Sequence, residues 1–431
     1  MSKMKKNKSM KRLFGMALCL VLALSVLSSC ASREGNNGNE SESETDEVFN
    51  QAEDKGETSE LGKRYSEYRE NMSLAFGGYE PLGDSAFEYE IVDGKVRITK
   101  YIGEESIIVI PEKIAGADVA VLASSAFSGG KIGAVYVPDS VESIESGAFE
   151  ACEALTTLRI PIVGDGGENQ YLGYIFGADE PDKNAVSVPG TLDMVIIGSG
   201  CNTVADEAFR GIKTLSAVVF EGEISSIGDM AFYQCSDLVM VTLDKVTGDI
   251  GELAFAFCSS LFFVDISNCE DVESGAFYLC TSMNGMKLNF SDGEYLGRFF
   301  GAVSPDYNDE FVPTSLRSVA VGDRTKKIPD RAFTACKYLT DISLPETLET
   351  IGVRAFYACR SLVELKFPNS LKVIDDDAFF GCDNLKTVEF GSSLESIGMQ
   401  AFYGCVSLEK ADVREGVKVG SGAFGNCPKL K

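Results

Sequence analysis

From Ile328 onward, apolar positions recur on a period longer than the turn of any single helix or strand. Phe333, Phe356, Phe379, Phe402 and Phe424, each preceded by alanine, stand 23, 23, 23 and 22 residues apart. Between them the chain reads Ile-x-x-x-Ala-Phe-x-x-Cys-x-x-Leu-x-x-Val-x-Ile/Leu/Phe-Pro. Self-similarity at this period predicts a solenoid, in which one small unit is stacked many times and each copy buries its apolar side on its neighbours. Within a unit, Leu-x-x-Val-x-Ile alternates with period two, which predicts a short strand with its apolar residues inward. The proline after it ends the strand, since it has no N–H for a ladder.

The same Ala-Phe pair occurs earlier, at Phe127, Phe149, Phe209, Phe232, Phe255 and Phe277. The spacing holds except for two long steps, from Phe149 to Phe209 and from Phe277 to Phe333. Each long step contains a second repeat: Tyr171-Leu172-Gly173-Tyr174-Ile175-Phe176-Gly177-Ala178 returns 124 residues later as Tyr295-Leu296-Gly297-Arg298-Phe299-Phe300-Gly301-Ala302. These segments read as enlarged turns of the same solenoid, each adding a lateral loop and then restoring the register. Upstream, Phe87–Val92 and Lys95–Lys100 alternate around Asp93-Gly94, a strong hairpin signal, and such a hairpin would cover the first open edge of the stack. Leu61, Tyr65, Tyr68, Met72 and Phe76 follow a weak helical spacing. The expected fold is therefore mainly β: a solenoid of 22–23-residue repeats with two enlarged turns, short strands and little helix.

Residues 86–431 resemble the BspA-type leucine-rich repeat family of bacterial surface and secreted proteins. The pattern Ala-Phe-x-x-Cys-x-x-Leu carries the resemblance and holds at nine of the eleven Ala-Phe positions, with Met283 once in place of leucine. Phe127 and Phe209 depart from it, being followed by Gly130 and Ile212 where the others have cysteine. The resemblance implies a non-catalytic cell-surface protein that adheres to or binds a protein or glycan.

Two rival readings remain beside it. One is a structural spacer without a specific ligand. The other is a glycan hydrolase working by paired carboxylates, for which no spacing identifies the pair. No cofactor is implied. The absence of histidine excludes Ser-His-Asp and Cys-His nucleophile systems and histidine metal sites, which need an imidazole. With 39 Lys+Arg against 65 Asp+Glu, the net charge is -26, which disfavours nucleic acid as a partner.

The N-terminus carries an address. Residues 1–29 read as a signal peptide, with six basic residues from Lys3 to Arg12 and an apolar stretch from Leu13 to Leu27. Leu27-Ser28-Ser29-Cys30 resembles the lipobox of bacterial lipoproteins, which implies acylation of Cys30 and a lipid-anchored location in the cell envelope. Residues 30–85 then read as an acidic tether ending in the weak helical pattern.

Three sets of residues are candidates for function. The outward strand positions are polar late in the chain (Glu364, Lys366, Thr387, Glu389, Lys410, Asp412) and apolar in the middle (Ala217, Val219, Val239, Met240, Phe262, Phe263). Val219, Met240 and Phe263 are expected to stack on three successive rungs as one patch, covered either by a partner or by an inserted loop. Tyr174 and Phe299 in those loops are the second candidate surface. The loop oxygens of Asp179, Glu180, Asp182, Asp306, Asn308, Asp309 and Glu310 raise calcium as an alternative to simple solvation. The cysteine column, Cys152 to Cys427, reads as buried small apolar thiols, because stacked parallel Cβ vectors oppose disulfide geometry and a line of sulfurs cannot converge on zinc. A serine there would bury a hydroxyl with no assured partner.

Overall fold

The computed structural model describes residues 76–431 apart from Gly130. The expected signal peptide, Cys30 and most of the tether lie outside the described residues. The described chain forms a β-solenoid of about fourteen turns with little helix. Each turn contributes one strand to a parallel main ladder. It runs Ile107–Val109, Ala134–Tyr136, Thr157–Ile160, Met194–Ile197, Ala217–Phe220 and Met240–Val241. It resumes with Phe263–Asp265, Gly285–Leu288, Ser318–Val321 and Asp341–Ser343, and then with Glu364–Lys366, Thr387–Glu389 and Lys410–Ala411. A second, shorter ladder forms where the sequence reads Ile-Gly, as from Lys327–Ile328 through Lys418–Val419.

The enlarged turns leave the main ladder intact. Thr157 pairs directly with Met194, and Gly285 with Ser318, in the same parallel register as the 23-residue steps. The short ladder breaks at the same places, so the extra residues lie round the corner from the strands.

Between the ladders the phenylalanines form a column of rings. Phe333, Phe356, Phe379 and Phe402 follow at 4.8, 5.0 and 5.0 Å with interplanar angles of 4–7°. Each of these phenylalanines is flanked two residues away on both sides by a left-handed residue, as at Arg354 (φ 55°) and Ala358 (φ 58°) around Phe356. Two left-handed residues per repeat turn the chain sharply enough to aim the ring inward. Glycine meets the requirement at Gly381 and Gly404, and ordinary side chains meet it elsewhere at a steric cost.

The hairpin Phe87–Val92 and Lys95–Tyr101 forms as expected around Asp93 and Gly94, both at positive φ. It covers the short ladder, since Lys95–Tyr101 pairs in parallel with Ala117–Leu122. The first edge of the main ladder is met by a different segment: the Leu82 N–H donates to the Val109 carbonyl at 2.9 Å. Among the described residues no helix is long and apolar enough to cross a membrane.

Candidate functional site

The outward face of the main ladder consists of two columns on either side of each inward residue. Ala217 pairs with Met240 and Val218 with Val241, which places Thr242, not Met240, beside Val219. The expected row Val219, Met240, Phe263 is therefore out of register. Met194, Ala217, Met240 and Phe263 belong to one column, and Ile196, Val219, Thr242 and Asp265 to the other. Val239 and Phe262 sit one residue before the strands, at the corner. They are the open members of the group, 48% and 39% exposed, and the Phe262 N–H donates to the Val239 carbonyl at 3.2 Å. Met240 and Val219 are buried, and Phe263 is half-buried. The apolar patch exists, but its exposed part is Val239 and Phe262, with Phe263 at its edge.

The inserted loops do not provide its cover. Ile175 and Phe299 take the place of the alanine in Ala-Phe, accepting from the N–H groups of Phe149 and Phe277 at 2.9 Å each. Both loops are thus threaded into the phenylalanine corner. Each is pinned by an asparagine that is fully buried. Asn184 Oδ1 accepts from the Gly173 N–H at 2.7 Å and its Nδ2 donates to the Ala208 carbonyl at 3.3 Å. Asn308 repeats this with Gly297 at 2.9 Å and Ala332 at 3.3 Å. A Cβ on Gly173 or Gly297 would lie 2.5 Å from the asparagine oxygen, so only glycine fits there. Tyr171 and Tyr295 close each loop by donating to the carbonyls of Ala178 and Ala302.

This geometry corrects the loop candidates. Phe299 is 2% exposed and belongs to the core, so it offers a partner nothing. Tyr174 is half-buried, edge-on to Tyr171. Asn308, one of the candidate calcium oxygens, is buried on its glycine. The nearby carboxylates form ion pairs: Asp306 with Arg331, Asp309 with Lys337 at 2.7 Å, and Asp179 with Lys183 at 3.8 Å. Among the described residues no group of three or more acidic or thiol side chains is placed to hold a metal. One shared carboxylate arrangement occurs at the second loop, where Arg298 reaches Glu294 at 3.2 Å and Asp271 at 3.4 Å. Burial pushes the Glu294 carboxyl above its usual range, while the Ser291 N–H and Arg298 pull it back.

Sequence reasoning missed Arg159. It projects from the outward column, yet is 2% exposed. Its guanidinium lies over the Tyr136 ring at 4.7 Å, donates to the Val137 carbonyl, and reaches Asp139 and Glu221 at 2.6 Å each. A Cβ on Gly198 would come within 2.5 Å of Nη2, so the missing side chain makes the room. Burial opposes the charge, and Glu221, Tyr136 and Asp139 outweigh it, leaving the arginine pKa raised. The apolar face therefore begins beside a neutralised cation.

The cysteine column is buried and reduced along most of its length. It is more than filler. Cys235, Cys258, Cys359 and Cys382 each donate Sγ–H to the phenylalanine carbonyl of the preceding repeat, at 3.0–3.3 Å. Cys201, off the column, takes the corner place that Val141, Leu348 and Leu371 fill in other repeats, with the same bond to a carbonyl three residues back.

A family model described as the BspA type leucine-rich repeat region matches six copies, over residues 110–164, 187–296 and 307–431. The chain belongs to the BspA-type leucine-rich repeat family. The two gaps in the match fall on the enlarged turns. Among solved structures, a leucine-rich repeat protein from Bacteroides ovatus is 20% identical and covers 78% of this chain and 97% of its own, with a TM-score of 0.36. A leucine-rich cell surface protein from Faecalibacterium prausnitzii is also 20% identical, covering 80% and 96%, with a TM-score of 0.28. The pneumococcal vaccine antigen PcpA is 17% identical, covering 82% and 86%, with a TM-score of 0.27. Among curated proteins none matches.

Proposed function

We propose that this protein is an extracytoplasmic, lipid-anchored binding protein that recognises a protein or glycan partner at the middle of its main ladder. The observation that carries the reading is the pair Val239 and Phe262, open to solvent on successive rungs and hydrogen-bonded backbone to backbone. Phe263 extends the patch along its rung. The equivalent corner positions of later repeats hold Lys386 and Glu409, so the repeat itself does not require an apolar residue there. Exposed apolar clusters with polar surroundings mark interaction sites. Val239 favours a protein partner, since aliphatic groups add little to sugar recognition. Membership of a repeat family whose members are typically surface and binding proteins supports the same reading. The strong negative charge of the chain disfavours polyanions as partners.

The test uses the full chain as bait against extracellular-matrix and cell-surface extracts, beside the variant Val239→Lys/Phe262→Glu. Both side chains are partly exposed, at 48% and 39%, so the variant should keep the β-sheet circular dichroism of the unaltered chain with only a modest fall in melting temperature. Loss of every partner that the unaltered chain retains is the expected result. Equal capture by both proteins would remove this face from consideration.

A further inference from the structure

The first enlarged turn borders the short ladder and leaves a cleft of about 700 Å³ beside it. Such a volume lies within the range of about 300–1,000 Å³ usual for ligand sites. One wall carries Glu168, Asp179 and Glu180. The other is the short ladder, with Thr203 and Asp206 on one rung and Ser226 on the next. No lysine or arginine lines the cleft. Among the described residues Glu168, Glu180 and Asp206 have no cationic partner, and Asp179 has only Lys183, at 3.8 Å and exposed. An exposed pair of that length adds little. Asp206 is fixed in place, since its Oδ1 accepts from the Asp229 N–H at 2.8 Å. The carboxylates are not gathered closely enough to hold a metal ion. The cleft suits a positive charge carried on a long arm.

The second enlarged turn supplies an independent observation, because it repeats this scaffold with different side chains. At the offset of 124 residues Asp206 is kept as Asp330, and Asp330 Oδ1 likewise accepts a backbone N–H, that of Val353, at 3.2 Å. Thr203–Val204 corresponds to Lys327–Ile328, and the two strands pair in parallel with Ser226 and Thr350 respectively. Asp179 and Glu180 give way to Val303 and Ser304, and Thr203 gives way to Lys327. The Lys327 ammonium stands 3.4 Å from Asp330 Oδ1. Where the scaffold has lost acids it has gained a lysine, and that lysine sits on the retained aspartate. The first turn has the aspartate and the further acids, with a threonine in place of the lysine.

We propose that the cleft at the first turn takes a lysine side chain from a basic segment of a partner protein. Its ammonium sits on Asp206 as Lys327 sits on Asp330, and Glu168, Asp179 and Glu180 receive the neighbouring positive charges of the segment. The net charge of -26 favours the approach of such a segment from a distance. The site lies on the short ladder and does not rest on the Val239 and Phe262 reading.

The test measures fluorescence anisotropy of a labelled peptide of alternating glycine and lysine with the full chain at low salt. Two variants alter the cleft. Glu180→Gln/Asp206→Asn removes charge, and Thr203→Lys installs the lysine that Lys327 and Lys418 already supply at equivalent positions. Each has a control of equal charge change elsewhere on the surface, Glu346→Gln/Glu415→Gln and Ser343→Lys. Each cleft variant should weaken peptide binding about tenfold, the loss of a charge-assisted hydrogen bond, and each control should leave it nearly unchanged. Equal weakening by variants and controls would reduce the binding to general attraction by an acidic chain and overturn the site. Absence of binding to the unaltered chain would overturn it too. Displacement of the peptide by a lower concentration of free spermidine would assign the cleft to a polyamine and overturn the peptide as its occupant. The Val239→Lys/Phe262→Glu variant should bind the peptide as the unaltered chain does, so the two readings fail separately.

Discussion

A thiol three residues beyond a core phenylalanine, as at Cys235, Cys258, Cys359 and Cys382, solves two problems at once. It is small enough for the corner and it donates to a carbonyl one repeat back. At Cys382 that acceptor is the Phe356 carbonyl, which also accepts the Cys359 N–H, so both of its lone pairs are used. A serine at 382 would direct its hydroxyl toward the same acceptor but fall short of it, since a C–O bond is shorter than a C–S bond and the sulfur already stands 3.3 Å away. Cys382→Ala should cost about 1–2 kcal/mol through lost volume. Cys382→Ser should cost at least as much, about 1–3 kcal/mol, because its buried hydroxyl is poorly bonded. Urea melts of the two variants check the order.

Burial also raises the thiol pKa values, to about 12 at Cys235 and well above the usual value at Cys258, Cys359 and Cys382. In the unfolded chain the thiols ionise near pH 8.5. Above that pH the unfolded state releases protons that the folded state keeps, so stability is complete below it and falls as pH rises toward the folded values. Each such thiol removes about 1.4 kcal/mol per pH unit in that window. The melting temperature should therefore drop steeply from pH 9 upward, and less steeply in Cys382→Ala.

At the scale of elements, the two enlarged turns are one device used twice. The repeated Tyr-Leu-Gly octapeptide was legible as an insertion that keeps register. Its fastening was not, because Asn184 and Asn308 lie in polar stretches that read as solvated loops. The 124-residue offset that relates the octapeptides also relates these asparagines, and that was the available signal. Asn308→Ala removes both bonds and leaves the Gly297 N–H buried without an acceptor, a loss of about 2–3 kcal/mol. Because contacts in a solenoid are between neighbours, the loss should stay local. Hydrogen exchange is expected to quicken over residues 295–312 while the strands at Glu364–Lys366 and Thr387–Glu389 keep their protection.

At the scale of the whole molecule, a binding role depends on where the solenoid is held. The chain carries 65 acids against 39 bases, a charge that keeps it soluble and repels polyanions. The Leu-Ser-Ser-Cys sequence at 27–30 predicts a diacylated Cys30, and two chains anchor stably where one does not. Cys30→Ala should shift the protein from the membrane fraction to soluble or unprocessed forms. Unchanged partitioning on fractionation would remove the lipid anchor from the proposal.

The sequence by itself determined the repeat, its strand, the phenylalanine and cysteine columns and the sites of both enlarged turns. Those features depend on local periodicity, and a period of 22–23 residues leaves one way to stack copies. It did not determine which outward residues are open. Val219, Met240 and Phe263 looked equivalent in the chain, yet the pairing of Ala217 with Met240 separates Val219 from the other two. Nor did it show that Arg159 is buried between Asp139 and Glu221, that Phe76 reaches Tyr136, or that left-handed residues flank the core rings. Those outcomes depend on strand register and on contacts between residues tens of positions apart, and only the folded solenoid brings such residues together.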